Sequence, residues 1–325
     1  MPGKRMFIVA IAALAAAISH AAAEDWPTRP VVMVVPTAAG GGTDVFGRIL
    51  VPRLSEILGQ QIVVENVGVS PIAASRVAKE RPDGYHFLLA TAATHAYSPS
   101  LYKNPLYNPV ADFEPVILIA EQPLLLVTYN DFPANDLKEF VAYAKAHEGM
   151  LKFGSGAGTG SANHLVCALV NSALGIKTIH VPYRDQGQTT QDLIAGRIDY
   201  QCPLPTTMIP LIKSNRVKGL AFLGKERLAA LPNLPTAQEQ GYPDFEGVTW
   251  DAFFFPKGTP MAIIQKLRDA TIKTMDTPDV QERLSVIGAR IVAPERRSPE
   301  YLAKFLQSEI EKWARPIKES GASLD

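Results

Sequence analysis

The stretch 31–44, VVMVVPTAAGGGTD, contains the elements that decide the fold. Its first five residues are apolar, most of them β-branched valines, and a proline lies on either side. Such a run is typical of a strand buried on both faces of a parallel sheet. Three glycines then lead into Thr43 and Asp44, residue types that favour the start of a helix. The stretch therefore predicts a strand, a glycine loop and a helix, in the manner of an α/β protein.

The same alternation recurs along the chain and predicts parallel sheets covered by helices on both faces. No low-complexity linker divides the chain, so we predict two α/β lobes that exchange strands through two crossovers, near 124–128 and 249–254. Residues 24–125 and 250–325 form lobe 1 in this prediction, and residues 126–249 form lobe 2. Further strands are predicted at 62–65, 85–90, 124–127, 179–182, 198–202, 217–222 and 250–255, and helices from 43, at 75–80, 137–146, 161–173 and 189–195, and from 278 and 299.

Length, charge and the N-terminus limit the possible functions. The chain has 325 residues, 47% of them hydrophobic, which is enough for the cores of two domains. Its 32 basic and 32 acidic residues balance, and no Lys/Arg block is present, so we expect no nucleic-acid or anionic-membrane partner. A basic start, an apolar run too short to span a membrane and three alanines predict a signal peptide, residues 1–23, cleaved near Ala23 on export to the periplasm.

The glycine loop after the first strand is a candidate anion site. A strand that ends in glycines and opens a helix leaves backbone N–H groups unpaired, and the helix dipole favours a negative charge there. Glycines also let a ligand approach the backbone closely. The alternative is a tight turn in which Thr43 and Asp44 only cap the helix.

A second glycine-rich loop, GSGAGTGS at 154–161, again precedes a predicted helix. It contains neither G-x-G-x-x-G nor G-K-[ST], which argues against a dinucleotide or nucleoside triphosphate. What remains is a loop rich in N–H and hydroxyl donors. Two such loops, at the carboxyl ends of strands in different lobes, predict a binding cleft between the lobes.

Motifs for catalysis, metal binding or a cofactor are missing from the sequence. There is no G-x-S-x-G, H-E-x-x-H or C-x-x-C, and no two histidines have metal-ligand spacing. The loops 91–98 and 181–185 carry polar groups, but these suit helix capping as well as ligand contact. Cys167 and Cys202 could form one disulfide in an oxidising compartment or remain two buried thiols, and both interpretations stay open.

A series of short motifs, in order along the chain, resembles the Bug-type solute-binding receptors of tripartite tricarboxylate transporters. The resemblance extends from Trp26 to about Trp313 and rests on the number and order of the motifs. They are VVP at 34–36 with GGGTD at 40–44, PDGY at 82–85, PSLY at 99–102, GS at 154–155 with HL at 164–165, HVPY at 180–183, LP at 231–232 with PT at 235–236, and PKGTP at 256–260.

The resemblance implies a two-lobed, flytrap-like periplasmic binding protein of type II that performs no catalysis. It implies capture of a small carboxylate, often a dicarboxylate, for delivery to two membrane subunits, without a cofactor; we expect a monomer. A sensory binding protein that feeds a membrane signalling system is the alternative. Matching positions place Ala39, Gly40, Gly41 and Thr43 on one side of the pocket, Ser155, Thr159, Ser161 and His164 on the other, and Thr91, Thr94, His95, Tyr183 and Thr206 beside them.

One departure from the family bears on the ligand. Members often carry an acidic residue shortly after the strand that holds Asp199, where this chain reads YQCPLP at 200–205. A ligand ammonium group needs such a carboxylate partner. We therefore expect a plain mono- or dicarboxylate, aliphatic or aromatic, and not an amino acid.

Overall fold

The structure is a computed structural model that describes residues 26–68, 70–243, 245–319 and 321–324. The predicted signal peptide, residues 1–23, lies outside the described residues. No helix in these ranges has the length and apolar character needed to cross a membrane.

The described residues form strands in the following order. They are β1 (Val31–Val35), β2 (Ile62–Asn66), β3 (His86–Thr91), β4 (Phe113–Pro123), β5 (Leu125–Tyr129), β6 (Lys152–Ser155), β7 (Ile179–Pro182), β8 (Tyr200–Gln201), β9 (Val217–Phe222), β10 (Val248–Pro256) and β11 (Arg290–Ile291).

Helices separate most of these strands. They are α1 (Gly42–Leu58), α2 (Ser70–Ala78), α3 (Ser98–Leu101), α4 (Leu137–Ala146), α5 (Ala162–Leu174), α6 (Gln186–Ile194), α7 (Pro205–Lys213), α8 (Met261–Met275), α9 (Pro278–Val286) and α10 (Pro299–Glu319). A π-helical turn, Ala93–Tyr97, leads into α3, and a 3₁₀ turn, Pro294–Arg296, precedes α10.

The strands make two sheets, in the orders β11-β4-β10-β3-β1-β2 and β7-β6-β8-β5-β9. Strands β1, β2 and β3 are parallel, as are β6, β7 and β8. However, β10 is antiparallel to β3 and β4, and β5 is antiparallel to β8 and β9. The predicted parallel strands are therefore present, but each sheet also contains antiparallel strands and is mixed. Strand β4 leaves the first sheet toward the second and β10 returns to it, so the two run in opposite directions.

Two short connections join the sheets. Leu124 alone separates β4 from β5, and the return path ends at Gly247, just before β10. The Leu124 N–H donates to the Gly247 carbonyl at 2.8 Å, and the Leu223 N–H donates to the Leu124 carbonyl at 2.9 Å. The connections are thus hydrogen-bonded to each other, and they form the two crossovers of the predicted two-lobed α/β fold.

Amphipathic helices cover the sheets because their apolar residues recur at three- and four-residue spacing. In α1 this spacing buries Phe46, Leu50 and Leu54, and Gly59 ends the helix in the left-handed region with φ of 72°. Burial of each such side chain contributes about 1.5–3 kcal/mol. The same hydrophobic cluster includes residues of β1, β3, β10 and α8 and fixes the start of α1 at the edge of its sheet.

Candidate functional site

A cavity of about 470 Å³ lies between the two sheets. The loops that follow β1, β2 and β3 line it from lobe 1, and the loops that follow β6, β7 and β8 line it from lobe 2. Carboxyl ends of parallel strands are where α/β sheets bind ligands. The lining residues include Thr37, Ala38, Ala39, Gly40, Gly41, Gly42, Thr43, Gly68, Ser70 and Thr91 from lobe 1, Gly156, Ala157, Ser161, Ala162, Asn163, Arg184, Asp185, Gln186, Gly187, Leu204 and Thr207 from lobe 2, and Thr249 on the crossover strand β10.

Four helices begin at this cavity. The first residues of α1, α2, α5 and α6, which are Gly42, Ser70, Ala162 and Gln186, all line it. Each helix places partial positive charge at its N-terminus through amides that have no acceptor within the helix. The helices come from both lobes, so the cavity offers hydrogen-bond donors to an anion from two sides.

Asp44 fixes the shape of the first glycine loop. Its carboxylate accepts from the Gly40 N–H at 2.8 Å, from Arg48 Nε at 2.9 Å and from Asn66 Nδ2 at 2.9 Å. Burial raises the pKa of Asp44, but these hydrogen bonds outweigh it and hold the pKa below its usual range. The Gly40 amide is thus not available to a ligand, because it donates to Asp44. This hydrogen bond fixes the loop to the first turn of α1.

The next amides of this loop remain available. Gly41 is the N-cap of α1 and makes no side-chain capping bond. Within the described part of the chain, the amides of Gly42 and Thr43 have no acceptor. The donors that lobe 1 presents are therefore main-chain groups, so the identity of the side chains matters less than the absence of bulk at the glycines.

The two serine hydroxyls of the second glycine loop both donate within that loop. Ser155 Oγ and Ser161 Oγ both donate to the Gly158 carbonyl, at 3.0 and 2.8 Å. Ser161 Oγ also accepts from the His164 N–H at 3.3 Å, as an N-cap. This leaves the amides of Ala162 and Asn163 at the start of α5 for a ligand, and again main-chain donors face the cavity.

His164 and His180 form a stacked pair with ring centroids 3.9 Å apart. Burial and the nearby His180 lower the pKa of His164 to about 3, and burial lowers that of His180 to about 4, so both rings are neutral at pH 7. His164 Nδ1 accepts from the Gly160 N–H at 3.1 Å, and His180 Nε2 lies 2.7 Å from Ser155 Oγ. Both rings line a separate cavity of about 430 Å³ that also contacts Phe153.

Thr94 and His95 lie beneath the cavity, inside lobe 1. His95 is fully buried between Phe113 and Phe254, and burial lowers its pKa to about 3. Thr94 Oγ1 donates to the Thr91 carbonyl at 2.9 Å and accepts from the Thr91 N–H at 3.0 Å. These side chains support the loop after β3, of which Thr91 lines the cavity.

The structure thus divides the predicted site residues into two groups. Tyr183 donates its hydroxyl to Asp192 Oδ2 at 2.7 Å and does not line the cavity. The cavity is lined by Ala39, Gly40, Gly41, Thr43, Thr91 and Ser161; the lining does not include Thr94, His95, Ser155, Thr159, His164, Tyr183 or Thr206. Ligand contact stays a prediction for all of these residues.

Several polar residues that line the cavity are not among the predicted site residues, and they include Asn163, Arg184 and Gln186. Asn163 Nδ2 donates to Gln186 Oε1 at 3.0 Å, and Gln186 Nε2 donates to Gln201 Oε1 at 2.9 Å. This chain of amides joins the starts of α5 and α6 to β8. The position of Arg184, just after a strand, was the available signal.

A disulfide joins Cys167 in α5 to Cys202, which follows β8, with Cα atoms 5.4 Å apart. It connects the helix that begins at Ala162 to the segment before α7, whose Leu204 lines the cavity. Both sulfurs are buried. No cluster of three or more His, Cys, Asp or Glu residues in the described ranges is placed to hold a metal ion.

The family model described as the tripartite tricarboxylate transporter family receptor matches residues 46–322. The chain belongs to this family. A solved structure of the periplasmic binding protein BugD is 36% identical in sequence and has a TM-score of 0.85. The match covers 92% of this receptor and 99% of the BugD chain. The resemblance to Bug-type receptors is therefore confirmed, as is the predicted two-lobed fold class.

Two further solved structures contain carboxylates. MatC from Rhodopseudomonas palustris with bound malate is 36% identical, covers 90% of this receptor and all of its own chain, and has a TM-score of 0.83. Rpa4515 from R. palustris with adipate is 34% identical, covers 92% of this receptor and 100% of its own chain, and has a TM-score of 0.85. This receptor is a periplasmic solute-binding protein and not an enzyme.

Proposed function

We propose that this receptor captures a small dicarboxylate in the cavity between its lobes and delivers it to the membrane subunits of a tripartite transporter. The observation that carries the proposal is the meeting of the N-termini of α1, α5 and α6 at one cavity, from both lobes. The dicarboxylates malate and adipate in the two related structures support the same ligand class. Cleavage of the exported chain near Ala23 remains part of the proposal.

The ligand holds the lobes together in this proposal. A hydrogen bond to a charged carboxylate contributes about 1.5–3 kcal/mol, and each helix N-terminus adds about 0.3–1 kcal/mol. Several such contacts, shared between the amides of Gly42 and Thr43 in lobe 1 and those of Ala162 and Asn163 in lobe 2, favour the closed arrangement over the open one.

The lobes move as two bodies in this mechanism, residues 24–125 with 250–325 and residues 126–249. The single residue Leu124 between β4 and β5, and the hydrogen-bonded return path at Gly247, support hinges at the two connections.

A thermal-shift experiment tests the proposal. The mature protein is melted with malate, adipate, citrate, butyrate or aspartate, since a ligand that binds only the folded state stabilises it by about 2.7 kcal/mol at 100 times its Kd. We expect a dicarboxylate to raise Tm and aspartate to have no effect. Gly41→Val, which adds bulk to the cavity wall, should abolish the rise, while Ala146→Val, at the exposed end of α4, should preserve it. A cooperative melt that no carboxylate shifts would refute the carboxylate assignment.

A further inference from the structure

Arg184 is distinctive among the residues that line the cavity. It lies two residues after β7 and directly before Asp185, the N-cap of α6. No other lysine or arginine is among the described residues that line the cavity. Its guanidinium therefore supplies the one full positive charge among the described lining residues, which also include the acidic residue Asp185.

The Arg184 side chain is also unused by the protein. It forms no hydrogen bond or ion pair with any residue in the described ranges, and it is exposed. By contrast, Arg48 is paired with Asp44 at 2.9 Å, and Arg197 with Asp192 at 2.7 Å. An unpaired guanidinium at a cavity retains its capacity to bind an anion.

The neighbouring carboxylate does not neutralise Arg184. Asp185 Oδ1 accepts from the Gln188 N–H at 2.9 Å and so caps α6. This capping holds the Asp185 carboxylate at the helix end, and Asp185 and Arg184 form no ion pair within the described residues. The positive charge of Arg184 and the N-terminus of α6 therefore act together on the same part of lobe 2.

We propose that Arg184 binds the second carboxylate of the ligand, while the first carboxylate lies at the start of α1 beside Gly42 and Thr43. This inference rests on the proposed function and extends it to selectivity. A guanidinium matches a carboxylate through two parallel N–H donors, a geometry that an ammonium group cannot reproduce. The receptor therefore distinguishes a dicarboxylate from a monocarboxylate of equal chain length through one side chain.

Titration calorimetry of three proteins tests this assignment. Wild type, Arg184→Gln and the control Arg216→Gln, an exposed arginine of lobe 2 outside the cavity, are titrated with adipate and with hexanoate. Both acids have six carbons. We expect wild type to bind adipate at least tenfold more tightly than hexanoate. Arg184→Gln should remove this difference by weakening adipate alone, and Arg216→Gln should leave it unchanged.

The outcomes separate the two proposals. If Arg184→Gln weakens the binding of adipate and hexanoate equally, or weakens neither, the role of Arg184 is overturned. The proposed function still holds in that case, provided that wild type binds a carboxylate. Malate and butyrate, which both have four carbons, are titrated in the same way. Wild type that binds none of the four acids overturns both the role of Arg184 and the proposed function. Arg184→Lys adds a further readout: retained charge without the planar fork should recover only part of the adipate affinity.

Discussion

Gly42 of lobe 1 lies directly against Leu204 of lobe 2 across the cavity. A Cβ atom built on Gly42 would come within 2.5 Å of Leu204 Cδ1 and 3.2 Å of its Cβ. Gly42 begins α1 and Leu204 caps α7, so the contact joins a helix start in each lobe. The close approach of the lobes thus requires a residue without a side chain at position 42, which also explains the last of the three glycines.

Gly42→Ala should weaken dicarboxylate binding about tenfold, because the added methyl group clashes with Leu204 at the lobe separation of this structure and an open arrangement of the lobes relieves the clash. Overpacking of this kind costs about 1–3 kcal/mol. The ligand-free Tm should not fall, since alanine is a better helix residue than glycine. Calorimetry and melting curves measure the two effects. Leu204→Ala in the same protein should restore part of the affinity, and a double variant as weak as Gly42→Ala would contradict the interlobe clash.

Asp44→Asn should destabilise the protein at neutral pH by about 1–3 kcal/mol, because the buried carboxylate accepts charge-assisted hydrogen bonds from Arg48. The folded-state pKa of Asp44 is lowered, so its contribution is present above the unfolded pKa and is lost as pH falls. Urea denaturation at pH 7 and pH 3 should therefore show a difference between wild type and variant that shrinks in acid. Asp279→Asn, an exposed acid on α9, is the control and should change stability by less than about 0.5 kcal/mol.

The main-chain part of the site could be predicted from the sequence because it is local. A strand, consecutive glycines and a helix start are adjacent in the chain, so 36–44 predicts unpaired amides without knowledge of the rest of the fold. The side-chain part could not be predicted in this way. Whether Ser155 faces a ligand or donates to Gly158 depends on the loop conformation, and the burial of His95 depends on Phe254, which is remote in sequence.

Most strands and helices could be predicted from the sequence because their patterns are also local. Elements were missed where their residue types are unfavourable for the structure that they adopt. The sequence predicts no strand at 113–123, yet β4 spans these residues. Pro115, Pro123 and the charged Glu121 disfavour a central strand, and β10 accommodates β4 through two register shifts. The helix α8 and the first turns of α2 and α6 were likewise missed, since their starts carry weak capping signals or fall in polar loops.

Removal of the disulfide by Cys167→Ala and Cys202→Ala should lower stability by about 3–4 kcal/mol. The two cysteines are separated by 35 residues, and a cross-link of this span constrains the unfolded chain by about that amount in the chain-entropy model. Urea denaturation with and without a reductant measures the effect. Unfolding exposes the buried disulfide to the reductant. Wild type that is unfolded and refolded with the reductant should therefore have the stability of the double variant, whose own stability should not change. Equal stability of oxidised wild type and the double variant would refute the role assigned to the bond.

Asp251 is a buried acid near the start of β10, the strand that follows the second crossover. It lies on β10 and is 1% exposed, and Gln122 Nε2 on β4 donates to its Oδ2. No acceptor or donor in the described residues pairs with its Oδ1. Burial raises the pKa of Asp251 to about 7, and the hydrogen bond from Gln122 offsets only part of this effect.

Asp251→Asn should therefore change how stability depends on pH. The ordinary Asp pKa is about 3.9, so between about pH 4 and pH 7 the folded state holds a proton that the unfolded state has released. Wild-type stability should fall as pH rises through this window, by up to about 4 kcal/mol at 1.36 kcal/mol for each pKa unit. Asparagine keeps the oxygen that accepts from Gln122 and carries no charge, so the variant should match wild type near pH 4 and exceed its stability at pH 8. Urea denaturation at the two pH values measures this. Parallel pH profiles for the two proteins would show that Asp251 is ionised without cost in the folded state.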